Sequence, residues 1–444
     1  MNNDKFGLVD KARDELVKRF LGRKATDQNV EVSPASVHPG SRWSNIPEAL
    51  YRFDRFPGYE KLLVPQQAST RLGLDNPFFK THEGIAGATT RIDGRTFVNF
   101  SSYNYLGLAG HPRVNKAAKN AIDRYGTSAS ASRLVAGERP IQRELEKSIA
   151  ELYDVEDCIV FVSGHATNVT SIGYLFGPKD MVIHDSLIHN SVIEGIKLSG
   201  AARRGFPHND HAALDSILNE IRGQFERVLI VIEGLYSMEG DVPDLPRFID
   251  IKKRHKAFLM IDEAHSLGVL GKTGKGIHEH FNIAGREVDI WMGTLSKTLA
   301  GCGGFIAGER ALVEHLKYAA PGFVYSVGMS PPLAAASLEA LHIMQEEPER
   351  VERLRERARE FLALAQGKDI NTGLSQGYAI IPAIIGSSLK AAKISNRLFE
   401  RGINVQPIIY PAVEERAARL RFFISSLHNE SQLQSTVEAL SDCL

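Results

Sequence analysis

The sequence predicts an α/β protein whose larger part is a mostly parallel sheet and whose C-terminal part is a smaller α+β domain. The first observation is a recurrence of short apolar runs at 158–162, 181–183, 228–232, 258–261 and 288–292, with helical text between them. Strands buried on both faces read as such unbroken runs, and helices between them supply the connections of a parallel sheet. The second is a change after residue 331. A long helical stretch runs to 365 with a break near Glu347-Pro348, and strands at 379–385, 403–407 and 420–425 then alternate with helices. The expected domains are a helical extension and linker over 1–75, a large domain over 76–330 and a small domain over 331–444.

Taken in order, residues 4–21 place Phe6, Val9, Ala12, Leu16, Val17 and Phe20 at helical spacing. A helix docking on its own protein is the plain reading, and a contact with a carrier protein or other partner is the alternative. Residues 25–47 are polar with several serines and three prolines, and read as a linker. Residues 46–72 read as helical, broken at Pro57-Gly58. A strand at 96–100 leads to a helix over 112–125, an irregular stretch over 126–137 and a helix over 141–152. A further helix is expected over 187–199.

Composition narrows the class. The chain has 444 residues, enough for more than one domain, and 53 basic against 53 acidic side chains. That balance makes no case for nucleic-acid or membrane-surface binding. Cys158, Cys302 and Cys443 stand far apart and form no metal-ligand pair. No run approaches the ~20 apolar residues of a membrane span, and no cationic-then-apolar leader is visible. A cytoplasmic protein without a metal site is the expectation.

The candidate chemistry centres on Gly293-Thr294-Leu295-Ser296-Lys297-Thr298-Leu299-Ala300-Gly301. It follows an apolar run and sets one lysine among hydroxyls and glycines. A lysine so placed suits a Schiff-base amine, with Thr294 and neighbouring hydroxyls available to a phosphate. A glycine-rich loop with a surface lysine reads the same way. Asp262 and His265 follow another apolar run; a turn or cap aspartate is one reading, the partner of a pyridine nitrogen the other. Ser163-Gly164-His165 opens a helix whose first N–H groups suit a phosphate. His189 opens another helix, as a structural histidine or as one stacked on an aromatic cofactor. Arg421 alternates with Leu420 and Phe422, as a surface charge or a carboxylate clamp. Together these groups describe pyridoxal 5′-phosphate bound to an amino acid.

Six ordered motifs then resemble one family. They are 100–108, Ser163-Gly164-His165-Ala166-Thr167-Asn168, 185–194, Glu233-Gly234-Leu235-Tyr236-Ser237-Met238-Glu239-Gly240-Asp241, 262–268 and 293–297. The chain resembles, over about 75–440, the α-oxoamine synthases, which include 8-amino-7-oxononanoate synthase, serine palmitoyltransferase, 5-aminolevulinate synthase and glycine C-acetyltransferase. The resemblance implies a fold-type I pyridoxal-phosphate transferase with a seven-stranded sheet, a homodimer and a site built from both subunits. It implies that Lys297 carries the cofactor, His189 stacks on its ring, and Asp262 holds its nitrogen. Ser237 and His265 would lie near the phenolic oxygen. Gly164, His165 and Thr294 would bind the phosphate, joined by Ser326 of the second subunit. Asn104 would face the substrate and Arg421 would hold its carboxylate.

The reaction implied is condensation of glycine, alanine or serine with an acyl thioester, with loss of carbon dioxide. Lys297 is the expected proton-transfer base, and His189 the expected stabiliser of the thioester oxyanion. An aminotransferase and a non-catalytic partner subunit are the alternatives in other classes. Serine palmitoyltransferase-like or 8-amino-7-oxononanoate synthase-like specificity is the alternative within the family. Position 165 is histidine where the best-known members have an aromatic residue, and Ile409-Tyr410-Pro411 lacks their arginine. With the lead-in over 53–74, these departures resemble the polyketide-associated members. That resemblance sets an acyl carrier protein beside coenzyme A as the expected thioester carrier.

Overall fold

The computed structural model describes residues 46–59, 61–63 and 75–444. The expected helix over 4–21 and nearly all of the 25–47 linker lie outside them. The chain divides into two compact units, Met1–Ala68 and Ser69–Leu444. In the first, single 3-10 turns at Glu48–Leu50 and Phe53–Arg55 replace the expected helix. Pro57 does not break a helix there. It opens one, since 57–59 and 61–63 are helical and Phe56 before it is extended. A proline at the first helical position gives up an N–H that would have had no partner.

The second unit carries three sheets. Its strands are β1 Thr89–Ile92, β2 Arg95–Asn99, β3 Asp157–Phe161, β4 Met181–Asp185, β5 Ala202–Phe206, β6 Val228–Glu233, β7 Phe258–Asp262, β8 Ile290–Thr294, β9 Gly304–Gly308, β10 Ile380–Ile384, β11 Ile403–Asn404, β12 Gln406–Ile408 and β13 Arg419–Phe423. The central sheet has seven strands in the order β3-β9-β8-β7-β6-β4-β5. Only β9 runs against the others, pairing antiparallel with β3 and β8. Two smaller sheets, β1-β2-β11 and β10-β13-β12, complete the unit.

Two of the seven central strands escape the apolar-run reading. β5 carries Arg203 and Arg204, both exposed, because it is an edge strand. β9 reads Gly-Phe-Ile-Ala-Gly and resembles loop text. The expected strand over 403–407 is two pieces in different sheets: β11 pairs with β2, and β12 with β13.

Helices cover the sheet. Those of ten residues or more are α1 Pro112–Tyr125, α2 Pro140–Tyr153, α3 Gly164–Leu175, α4 Asn190–Ser199, α5 His211–Ile221, α6 Leu245–His255, α7 Arg310–Ala319, α8 Pro331–Glu346, α9 Glu349–Gln366, α10 Ser388–Glu400 and α11 Glu430–Cys443. The expected break at Glu347-Pro348 separates α8 from α9. Residues 126–137 are irregular apart from one π-helical turn, Arg133–Gly137. Ile183, Ile230, Leu259 and Trp291 pack into one apolar layer, and their neighbours Val182, Leu229, Met260 and Ile290 into another. The strands are thus buried on both faces, as a parallel sheet requires.

Four neighbouring strands end on buried polar residues. Asp185, Glu233, Asp262 and Thr294 are the last residues of β4, β6, β7 and β8. That edge, beyond the carboxyl ends of parallel strands, is where an open α/β sheet leaves a crevice.

Candidate active site

The crevice is a cavity of about 370 Å³ lined by Lys297, Asp262, His189, His165, Thr294 and Arg421 among others. Sequence neighbours build its floor. Thr294 ends β8, and its hydroxyl donates to the Gly303 carbonyl at 3.0 Å and lies 2.7 Å from Ser296 Oγ. Leu295 N–H donates to Gly303 O and Gly301 N–H to Leu295 O, so the loop closes tightly around Lys297. The Lys297 amine lies 5.4 Å from the Tyr103 ring centre and has no ion pair among the described residues. Burial pushes its pKa down to about 8, against the pull of Asp262 and Glu233.

Asp262 ends β7 and is held on both oxygens. Asn168 Nδ2 donates to Oδ2 at 2.9 Å, and the Ala264 N–H donates to Oδ1 at 3.0 Å. Glu233 lies beside it, fully enclosed. Burial, then repulsion by Asp262, pushes that carboxyl up to about 8. His189 caps α4, its Nδ1 accepting from the Ser191 N–H. Burial lowers its pKa most, while Asp262 opposes. His265 Nδ1 lies 2.7 Å from the Tyr105 hydroxyl, and burial holds this imidazole neutral, with Lys297 and Arg421 reinforcing it.

Arg421 sits mid-strand in β13, between buried Leu420 and Phe422. Its guanidinium donates to the Ser237 carbonyl at 2.9 Å, lies over the Phe423 ring at 4.6 Å, and lines the cavity. Strand alternation turns it away from its neighbours' face. Ser237 lines the same cavity, and its N–H donates to Glu233. Gly164 and His165 open α3 under the Ser163 cap, so their N–H groups have no intrahelical acceptor.

Two expected residues stand apart. Asn104 lines an adjoining cavity with Tyr103, Ser296 and Lys297, but its amide is engaged by Ala86 O and the Ala109 N–H. Ser326 is outside the main cavity, in the segment 321–329 beside Arg133. Four contributors were given no role from sequence: Tyr103, Glu233, Asn168 and Ser191. All four lie inside the six motifs, yet spacing alone does not show the partners they meet, such as Asp262 for Asn168, 94 residues away.

These residues fit pyridoxal 5′-phosphate. Buried polar atoms lack protein partners at Arg421 Nε, Glu233 Oε1 and Asn168 Oδ1. A Cβ on Gly164 would stand 2.8 Å from Thr294 Oγ1, so glycine keeps open the gap between the start of α3 and the end of β8. Free helix N–H groups and a hydroxyl around that gap suit a phosphate. An enclosed amine, Lys297, and a fixed carboxylate, Asp262, would suit its aldehyde and its ring nitrogen.

The fold and cavity together define a fold-type I pyridoxal-phosphate transferase. The family model of class I and II aminotransferases matches residues 95–440. The 8-amino-7-oxononanoate synthase of Symbiobacterium thermophilum is 40% identical over 350 residues, 79% of this chain and 89% of that protein. The corresponding protein of Methylococcus capsulatus is 39% identical over 353 residues, 80% of this chain and 90% of its own. Among solved structures, Sphingomonas wittichii serine palmitoyltransferase superposes with a TM-score of 0.83 at 26% identity, covering 87% of this chain and 97% of that one. The 8-amino-7-oxononanoate synthase of Francisella tularensis gives 0.67 at 27% identity, with coverage of 78% and 97%.

The chain belongs to the α-oxoamine synthases within the class I and II aminotransferase family. It is an enzyme, a pyridoxal-phosphate-dependent acyltransferase of the decarboxylative condensation type. No helix among the described residues is long and apolar enough to cross a membrane.

Proposed function

We propose that this chain condenses glycine, alanine or serine with an acyl thioester, on coenzyme A or an acyl carrier protein, to give an α-amino ketone. The bound cofactor supplies the electron sink for this chemistry. Lys297 holds the cofactor and moves the α-proton, and its depressed pKa keeps a neutral amine available near neutral pH. Asp262 holds the ring nitrogen, fixed for that purpose by Asn168 and the Ala264 N–H. His189 covers the ring and offers a donor to the thioester oxygen. Gly164, His165 and Thr294 take the phosphate, and Ser237 and His265 the side of the phenolic oxygen.

Arg421 takes the amino-acid carboxylate. Met238 Sδ at 3.3 Å and Phe423 crowd it, which supports a small amino acid over a large one. Asn104 serves the substrate side by holding the loop that carries Tyr103, since its amide is spent on backbone.

The site belongs to a homodimer in this reading, with Ser326 contributed by the second copy. Supporting it, Tyr325 and Val327 flank Ser326 with exposed side chains. Leu134 and Val135 are exposed in the adjacent turn, tied to this segment by the Gly328 N–H and Ala131 O. We place the reaction in the cytoplasm, with three unpaired cysteines as the supporting observation. The large and small domains are read as 76–330 and 331–444.

The observation that carries the proposal is one cavity shared by Lys297, Asp262, His189 and Arg421. Borohydride reduction of the cofactor-loaded protein should fix the adduct on Lys297, and Lys297→Ala should lose it. An adduct on another lysine would sink the assignment. Amino acids offered in turn against acyl-coenzyme A and acyl-carrier thioesters, with products weighed by mass, decide the substrates.

A further inference from the structure

Three elements meet in the cavity wall. Asn168 lies in the first turns of α3, Ser191 in the first turn of α4, and Asp262 at the end of β7. All three are buried. Asn168 Nδ2 is 2.9 Å from Asp262 Oδ2 and 2.9 Å from Ser191 Oγ. Ser191 Oγ is 2.8 Å from His189 Nδ1, and the Ser191 backbone N–H donates to that same nitrogen at 3.3 Å.

The proton positions follow from what each group is able to do. An ionised carboxylate only accepts, so Asn168 must present its NH2 to Asp262. The second hydrogen of that NH2 goes to Ser191 Oγ. The other partner of that oxygen among the described residues is His189 Nδ1, and the hydroxyl has one hydrogen left to give it. The Ser191 backbone N–H also donates to Nδ1. Two donors on one ring nitrogen require a lone pair there, so the proton of a neutral imidazole sits on Nε2. Burial disfavours the charged imidazole. His189 lines the cavity, and the partners of its ring are on the Nδ1 side.

We infer that Asn168 and Ser191 are positioning residues that link the Asp262 carboxylate to His189 and lock its imidazole as the Nε2–H tautomer. His189 then presents a donor to the cavity and not a lone pair. A donor favours an oxygen that gains negative charge when a thioester is attacked, whereas a lone pair would repel it. The consequence for catalysis rests on the proposed roles of His189 and Asp262; the tautomer itself does not. An amide turned the other way would set Asn168 Oδ1 against a carboxylate, two acceptors face to face.

Two-bond proton–nitrogen NMR on cofactor-free protein with isotope-labelled histidine reads the tautomer directly, with His189→Gln identifying the resonances. Wild type should show a protonated Nε2 and a bare Nδ1. Ser191→Ala should admit the Nδ1–H form, Ser191→Thr should restore the wild-type pattern, and Asn168→Ala should weaken the lock. A proton on Nδ1 in wild type, or an unchanged ratio in Ser191→Ala, overturns the inference. The wild-type spectrum decides even if a variant fails to fold. In loaded enzyme, Ser191→Ala should lower kcat by about tenfold or more, with the amino-acid KM held. If cofactor leaves the His189 resonances unmoved while the tautomer is as expected, the ring-side role of His189 fails and the positioning relay stands.

Discussion

The Lys297 amine is caught between opposing influences, and its pH behaviour shows which wins. Burial lowers its pKa to about 8, although two carboxyl-bearing side chains pull the other way. Only the neutral amine is a nucleophile, and its fraction rises as pH rises through that value. Capture of pyridoxal phosphate by cofactor-free protein should therefore accelerate with a midpoint near 8, read by absorbance across a pH series. A midpoint at the ordinary lysine value of 10.5 would show the amine to be solvated. Stability carries the same sign. Between the two values the unfolded chain holds more protons, so this group's contribution to stability rises with pH in that window.

Arg421 gives a second test at this scale. Arg421→Lys keeps the charge and loses the planar fork. It should weaken amino-acid binding by about 1–3 kcal/mol, the range for a charged hydrogen bond, while cofactor occupancy holds. Wild-type affinity in spectroscopic titrations would place the carboxylate clamp elsewhere. Its orientation was legible because strand alternation is a local rule. The pairing of Asn168 with Asp262, 94 residues apart, was not, since nothing local says which residue an amide will meet.

The same division between local and distant information holds for elements. Helix α1 spans Pro112–Tyr125, as its spacing indicates, and a proline in its first turn marks the start. β9 was missed because its apolar content is only Phe305, Ile306 and Ala307 between glycines, and its place comes from pairing with β3 and β8. Those glycines are structural. A Cβ at Gly304 would stand 2.5 Å from Thr167 Oγ1 and 2.8 Å from Gly164 Cα. The start of β9 and the start of α3 thus touch directly under the proposed phosphate position. Gly304→Ala should destabilise the cofactor-free protein by about 1–3 kcal/mol, the usual cost of overpacking. Gly164→Ala meets chiefly the Thr294 side chain, whose hydroxyl can turn away, with the Gly303 carbonyl at an ordinary 3.5 Å. Its penalty should appear chiefly as weaker cofactor binding. Melting curves with and without cofactor separate the two, and equal losses in both states for Gly164→Ala would contradict a phosphate at the helix start.

At the scale of the whole molecule, the question is whether one chain completes a site. Within this chain Ser326 lies outside the cavity that holds Lys297, in a segment whose flanking Tyr325 is 86% exposed and Val327 49%. In a twofold dimer, each copy gives the other the same segment. Lys297→Ala alone should be inactive. Ser326→Asp alone should be nearly so, because a carboxylate beside a phosphate repels it. When the two are mixed and allowed to exchange subunits, the heterodimer has one site with Lys297 from one chain and an intact Ser326 from the other. Random pairing at equal amounts makes about half the dimers mixed, each with one working site of two, so activity should recover to about a quarter of wild type. If Ser326 serves its own chain, the only intact Lys297 in the heterodimer sits beside its own aspartate, and mixing restores nothing. A double change of Val135 and Tyr325 to glutamate should block the recovery and shift sedimentation to the monomer, because both side chains are exposed in adjacent segments of the proposed interface. Recovery that persists in a monomeric variant would mean that the site is complete within a single copy.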